Sequence, residues 1–493
     1  MPNDTRLSEA KRKLLELQRR GNLAPPTNPP ARAKSGPIPL SLSQEQVWQL
    51  QRTVGAQSPL YNESITLHRH GPCDAAAMEK AFAEIIRRHE IWRTTFAVQD
   101  GQPIQVIHPP PANFKLQISD LRSALEIGEG RGTGLSSAPS AEGKALKLAT
   151  EDAQQPFDLA RGPLLRARLV NLSDKEHQLF LTAHQSIVDG TTVYDVFPTE
   201  LTTLYESFAA GKPSPLPELE IQFAEYACEQ RQRLTGAERQ RQLDYWKKQL
   251  AGDLIPLRWP NAHASAASPT YHGAIHPFSM GKDLTESLLE LARREGVTLF
   301  MILLAGLATL LHRYAQQDDV TVVTLAPSGR KFPEFQRLTG YFLNPVPLRT
   351  DMSGNPTFRE LLRQAREITL GAISNDDLPL ETIAEHLQVR PGFSRHLLFN
   401  IALSVAPDVA ILPPGWSMTF MDVESGGSRW DLYFELSQRP GGLLGRAQYN
   451  PDVFTLTMVK QAVDDLQSLL KSLLGDPAQG IDSPVLSGGV VPP

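Results

Sequence analysis

The sequence predicts a mixed α/β fold in two lobes of similar length. Apolar runs of strand length alternate with amphipathic runs of helical length through both halves of the chain. A break at Gly211–Pro217, with three prolines, separates the halves. The chain has 493 residues, 41% apolar and 21% charged, which is enough for two or three ordinary domains of globular composition.

Residues 1–21 read as an amphipathic helix. Leu7, Ala10, Leu14 and Leu17 fall on one face, and Gly21 can end it. This helix is expected to dock on a partner. Residues 22–37 form a proline-rich linker within Asn22–Pro39, which holds six prolines.

The first lobe is placed at residues 38–212. Ser43–Leu50 and Asp74–His89 are predicted helices. Thr94–Val98 and Ile104–Ile107 are strands about a turn at Asp100–Gly101. Gly128–Lys144, rich in small residues, reads as a loop insertion. Leu164–Leu172 and Gln178–His184 are strands of one hairpin. Thr191–Ala209 is helical but contains Pro198, so the helix kinks there or a new one starts with Pro198 in its first turn.

The second lobe is placed at residues 213–475. Ile221–Leu250 and Thr357–Ile373 are predicted helices, and Leu284–Gln316 holds two. Thr270–Pro277, Val320–Leu325, Pro345–Leu348, Leu397–Val405, Met418–Val423 and Leu432–Leu436 are strand candidates. Leu456–Leu474 is a closing helix, and residues 476–493 read as a disordered tail.

Several function classes are disfavoured. A formal net charge of −5 argues against nucleic-acid or anionic-membrane binding, although basic clusters occur at Lys11–Lys13, Arg19–Arg20 and Arg231–Arg241. Residues 1–20 lack an apolar core segment. The longest apolar run, Leu299–Leu311, is shorter than a membrane span and reads as a buried helix. Cys73 and Cys228 read as reduced thiols of a cytoplasmic protein. His263, His272 and His276 cluster without cysteines or paired acids, so no metal is expected. No phosphate loop, dinucleotide fingerprint or nucleophile elbow is present.

The segment that stands out is Thr182–Gly190, where an apolar strand runs into His184, Gln185, Ser186 and Asp189, then a glycine and a helix. Such a junction presents side chains at the end of a sheet. Asp189 would lie near the following helix's amino end, which favours negative charge. Gly190 can adopt backbone angles forbidden to other residues.

These residues resemble the His-His-x-x-x-Asp-Gly motif of the condensation-domain family of nonribosomal peptide synthesis. Further segments are similar in the same order: Ser41–Trp48, Arg88–Phe96, Pro156–Leu159 with Gly162–Arg166, Tyr245–Leu250, Gly340–Asn344 with Arg349, Asp377–Glu381 and Ser394–Asn400. The likeness covers about residues 38–475. It implies two chloramphenicol-acetyltransferase-like lobes in a V-shaped pseudo-dimer around a central tunnel. It implies an acyltransferase joining a donor acyl or peptidyl thioester to an acceptor amine. The donor and acceptor would be peptidyl or acyl carrier proteins bearing 4′-phosphopantetheine arms, beside adjacent synthetase modules, with no cofactor held by the chain itself.

The resemblance also assigns roles. His184 matches the structural first histidine, and Gln185 replaces the catalytic second one. Asp189 matches the aspartate expected to pair with Arg93, and Gly190 the glycine beside the reacting centre. Ser186 could offer a hydroxyl, and Asn344 supports the site. Gln46 stands where the family has an arginine, and Asn375 and Leu380 where it has His and Phe. A glutamine amide hydrogen-bonds but does not titrate, and losing a general base costs about 10²–10⁴ in rate. The alternative to catalysis is a platform that binds carriers or recruits a tailoring enzyme, or a domain of modified chemistry.

Overall fold

A computed structural model of the protein describes residues 36–55, 58–122, 140–259, 262, 270–387, 398–420 and 422–484. The expected docking helix, most of the linker and His263 lie outside the described residues.

Local signals build the first half as the sequence suggests. Ser41 caps helix α1 (Leu42–Val54), which follows the short strand β1 (Ile38–Pro39). Strand β2 (Asn62–His70) precedes helix α2 (Ala75–Arg88), capped by Asp74. Strands β3 (Thr94–Gln99) and β4 (Gln102–Ile107) form a hairpin. Asp100 and Gly101 both adopt positive φ at its tip (51° and 77°), as the right-handed strand twist requires. Strand β5 (Gln117–Asp120) and helix α3 (Ala141–Gln154) follow. Strands β6 (Leu165–Asn171) and β7 (Glu176–His184) form the expected antiparallel hairpin. A π-helical turn over Thr192–Val196 then gives way to helix α4 (Phe197–Ala209). Pro198 sits in its first turn, where a missing N–H costs nothing.

The second half comprises α5 (Phe223–Arg233), α6 (Gly236–Gln249), β8 (Ala274–Gly281), α7 (Lys282–Glu295) and α8 (Leu299–Ala315). Strands β9 (Asp319–Ala326) and β10 (Asn344–Asp351) precede α9 (Phe358–Ile373) and α10 (Leu380–Glu385). Strands β11 (Ile401–Val405), β12 (Trp416–Phe420), β13 (Leu432–Arg439) and β14 (Gly442–Tyr449) and helix α11 (Leu456–Gly475) complete it.

Two main sheets result, ordered β12-β2-β7-β6-β5 and β10-β9-β11-β13-β14-β8, with a small sheet β1-β4-β3. In the first, β7 is central and covered on both faces. On one, Ala141, Ala145, Ala149 and Ala153 of α3 pack near Phe180 and Val170. Their spacing of four makes a stripe of small residues that lets helix and sheet approach closely. The other face packs on α2 and α4. In the second half, α8 is buried from Met301 to Leu311. A Cβ on Gly306 would lie 2.5 Å from Leu470 of α11, so a side chain there would force Leu470 to move. Among the described residues, no single helix is long and apolar enough to cross a membrane.

Four expectations need correction. Lys144 and the four residues before it are not loop, because Ser140 caps α3 and the helix starts at Ala141. The tail does not begin at 476: Ile481 is fully buried and Gly480 bridges Thr357. Ile221–Leu250 is two helices, broken at Leu234–Thr235. The halves are also not separate in sequence. Strand β12 pairs with β2 in the first sheet, and Phe332, Phe335, Leu338 and Phe342 join the first core.

Candidate functional site

Strand β7 ends at His184 and turns through a single 3-10 turn, Gln185–Ile187. The His184 Nδ1 accepts the Ser186 N–H (3.2 Å) and the Ser186 hydroxyl (2.8 Å). With Nδ1 accepting, the neutral ring carries its proton on Nε2, which has no partner among the described residues. The rings of Tyr61 and Phe157 meet the imidazole edge-on, at 5.9 and 6.2 Å between centroids. Burial lowers the His184 pKa to about 3. His184 is thus a neutral cap for the turn. The Ser186 hydroxyl is fully buried against it, not offered outward as the sequence suggested.

Gln185 is the first residue of the turn. Its N–H donates to Tyr61 O at 2.7 Å, which extends the β2–β7 ladder by one residue past the Asn62–His184 pair. It is half-buried, and its side chain has no hydrogen-bond partner among the described residues.

Asp189 fixes the far end of the turn. Arg330 meets it bidentately, Nη2 to Oδ1 at 2.7 Å and Nε to Oδ2 at 3.1 Å. Oδ1 also accepts the Thr192 N–H (2.8 Å) and hydroxyl (2.9 Å), and Oδ2 accepts the Phe342 N–H (3.3 Å). Arg330 donates further to the carbonyls of Phe335, Gln336 and Leu338 and stacks 4.2 Å over Phe342.

The expected Arg93–Asp189 pair is therefore wrong. Arg93 sits in a local 3-10 turn, donates to His108 O and lies 3.6 Å from Glu90. A few residues upstream, an ion-pair cluster forms within the first half, and His89 also reaches the second half. Arg88 and His89 reach Glu200 at 3.3 and 2.9 Å, and His89 Nδ1 accepts the Thr339 N–H. Arg330 follows the apolar strand β9 by four residues, and nothing near it in sequence marks it as a partner of Asp189.

Gly190 has no positive φ, so conformational freedom is not its reason. Close approach is: a Cβ there would lie 3.3 Å from Pro407. Asn344 is fully buried and joins three segments. Its amide donates to Asp376 O (2.8 Å) and Leu378 O (2.7 Å), and its oxygen accepts from Gln46 of α1 (3.0 Å).

Beneath Asn344 lies a charge cluster that the sequence did not announce. Lys331 meets Asp376 at 2.7 Å and Asp377 at 3.5 Å, and Arg233 meets Asp377 at 2.6 Å. Burial raises the Asp376 pKa, and Asp377 adds to the rise. Burial would raise Asp377 also, but Lys331 and Arg233 outweigh it and hold that carboxyl low. Of the three clustered histidines, His272 bonds Asp452 at 2.8 Å and His276 lies in β8.

A family model described as "Condensation domain" matches residues 34–488. A linear gramicidin synthase of Brevibacillus parabrevis is 36% identical over 448 residues, 90% of this chain but 6% of that protein. The X-domain from teicoplanin biosynthesis, also solved in a complex with OxyB, superposes with a TM-score of 0.78 at 26% identity, covering 93% of this chain and 100% of that one. The first condensation domain of the calcium-dependent antibiotic synthetase gives 0.75 at 21% identity over 92% and 100%, which shows a shared fold.

Proposed function

As the chain belongs to the condensation-domain family of nonribosomal peptide synthesis, we propose that it forms an amide bond between two carrier-bound substrates. A donor acyl or peptidyl thioester and an acceptor amine would each arrive on a phosphopantetheine arm of a carrier protein. The carriers would belong to adjacent synthetase modules in the cytoplasm.

The observation that carries this reading is the anchorage of Asp189. Five donor contacts hold one end of a turn whose other end is capped by His184. Gln185, between them, is left half-buried with an uncommitted amide. Such a group can orient an amine by hydrogen bonding. Orientation supplies much of the rate in a reaction between two bound partners, so a missing imidazole is survivable.

A second reading is a non-catalytic platform. It is favoured by a residue that cannot titrate at the catalytic position, and by likeness to the X-domain solved with OxyB. Loading both carriers and measuring condensation separates the two. Product from the parent protein supports the enzyme. Carrier binding without product supports the platform. Product only from Gln185→His would place the loss at that one side chain.

A further inference from the structure

The end of the β2–β7 ladder beside Gln185 carries an acid. Glu63 lies opposite Ala183 in the ladder, while Gln185 extends it opposite Tyr61. Glu63 and Gln185 are therefore diagonal neighbours at the end of the ladder, about 7–8 Å apart and within reach of long side chains. Glu63 is a half-buried carboxyl that keeps 31% of its side-chain surface accessible.

Its cation comes from the second half of the chain. Arg446 of β14 lies 3.7 Å from Glu63 but 2.8 Å from Glu435 of β13. One guanidinium is thus shared by two carboxyls and committed to the other. The Tyr194 hydroxyl from the first half and the Tyr433 hydroxyl from the second, both raised chiefly by burial, also interact with Glu63. The Tyr194 ring borders Gly190, with its Cδ2 3.8 Å from where a Cβ would stand. The array therefore adjoins the turn itself.

Building on the condensation reading, we propose that Glu63 is the proton acceptor of the reaction, in place of the imidazole that Gln185 lacks. The acceptor nitrogen attacks the thioester carbon, the C–N bond forms and the C–S bond breaks. The nitrogen's proton passes to the Glu63 carboxylate, and the leaving thiolate is protonated to the carrier thiol as Glu63 returns its proton. Gln185 orients the nitrogen from the turn. The chemistry is matched to neutral pH: burial raises the Glu63 pKa to about 7, with Arg446 opposing and Glu435 reinforcing the shift.

The test uses the full chain with both loaded carriers. Glu63→Gln is expected to lower single-turnover condensation about 10²–10³-fold. Carrier affinity should stay within twofold, and the rise in rate through pH 7 should disappear. Glu63→Asp, which keeps a carboxylate, should restore part of the rate. A parent-minus-Glu63→Gln infrared difference spectrum should show a carboxylic acid that ionises near pH 7. Product from the parent with Glu63→Gln unaffected, or a carboxyl ionising near its ordinary value, overturns this assignment alone. No product from the parent with carriers bound overturns the condensation reading and this assignment together.

Discussion

Asp189 and Glu63 are two acids beside the same turn, and their partners differ. Asp189 receives five donor contacts, two of them from a guanidinium aimed at it. Glu63 has a share of one guanidinium that sits closer to Glu435. A carboxylate with its lone pairs filled is a fixed strut. One desolvated without enough donors holds a proton into the neutral range. The same residue chemistry becomes scaffold or reagent according to how many N–H groups reach it.

The largest expected effect tests the strut. Arg330→Ala leaves Asp189 buried without its cation and should cost about 3–5 kcal/mol in denaturant unfolding. Arg93→Ala should cost about 1–2 kcal/mol, the scale of a charged hydrogen bond. Equal losses from the two would erase the distinction between them.

Next comes the neutral cap at the other end of the turn. The folded His184 pKa of about 3 lies below the usual imidazole value of about 6.5. The unfolded chain therefore binds a proton that the fold excludes. The contribution is complete above pH 6.5 and is lost as pH falls towards 3. Between pH 6.5 and 4.5 the parent should lose about 2–3 kcal/mol from this group. His184→Gln, with nothing there to titrate, should lose that much less over the same interval.

The smallest effect belongs to Glu63 and has the opposite sign. Its folded pKa is raised to about 7, so its favourable contribution is present below its ordinary value and lost as pH rises through 7. Glu63→Gln should stabilise the fold by about 1–2 kcal/mol at pH 8, allowing for the accessible part of the side chain. At pH 4.5 the gain should be about 0.5 kcal/mol or less. Stability gained where condensation is lost would sharpen the contrast; a stability loss at pH 8 would break it.

What the sequence revealed was local. The Asp100–Gly101 hairpin, the β6–β7 hairpin and the Pro198 helix start each depend on a few neighbouring residues. Strand β2 was missed because Asn62–His70 carries polar groups at both faces near its ends, and β14 because Gly442 and Gly445 dilute its apolar pattern. The site divides in the same way. His184, Gln185 and Asp189 stood out in one short segment. Arg330 lies 141 positions from Asp189, and Glu63 reaches the turn only through strand pairing. Neither distance leaves a mark on spacing.

Strand β12 has a practical consequence for anyone recombining such proteins. Cutting at the proline-rich break would strip the first sheet of its outer strand and leave β2 with an open rim of unpaired backbone, a template for aggregation. The same stretch brings Pro407 against Gly190 and Trp416 against Tyr205. A workable chimera must therefore inherit the stretch from Pro407 to Phe420 together with the half it clasps, not the half it follows.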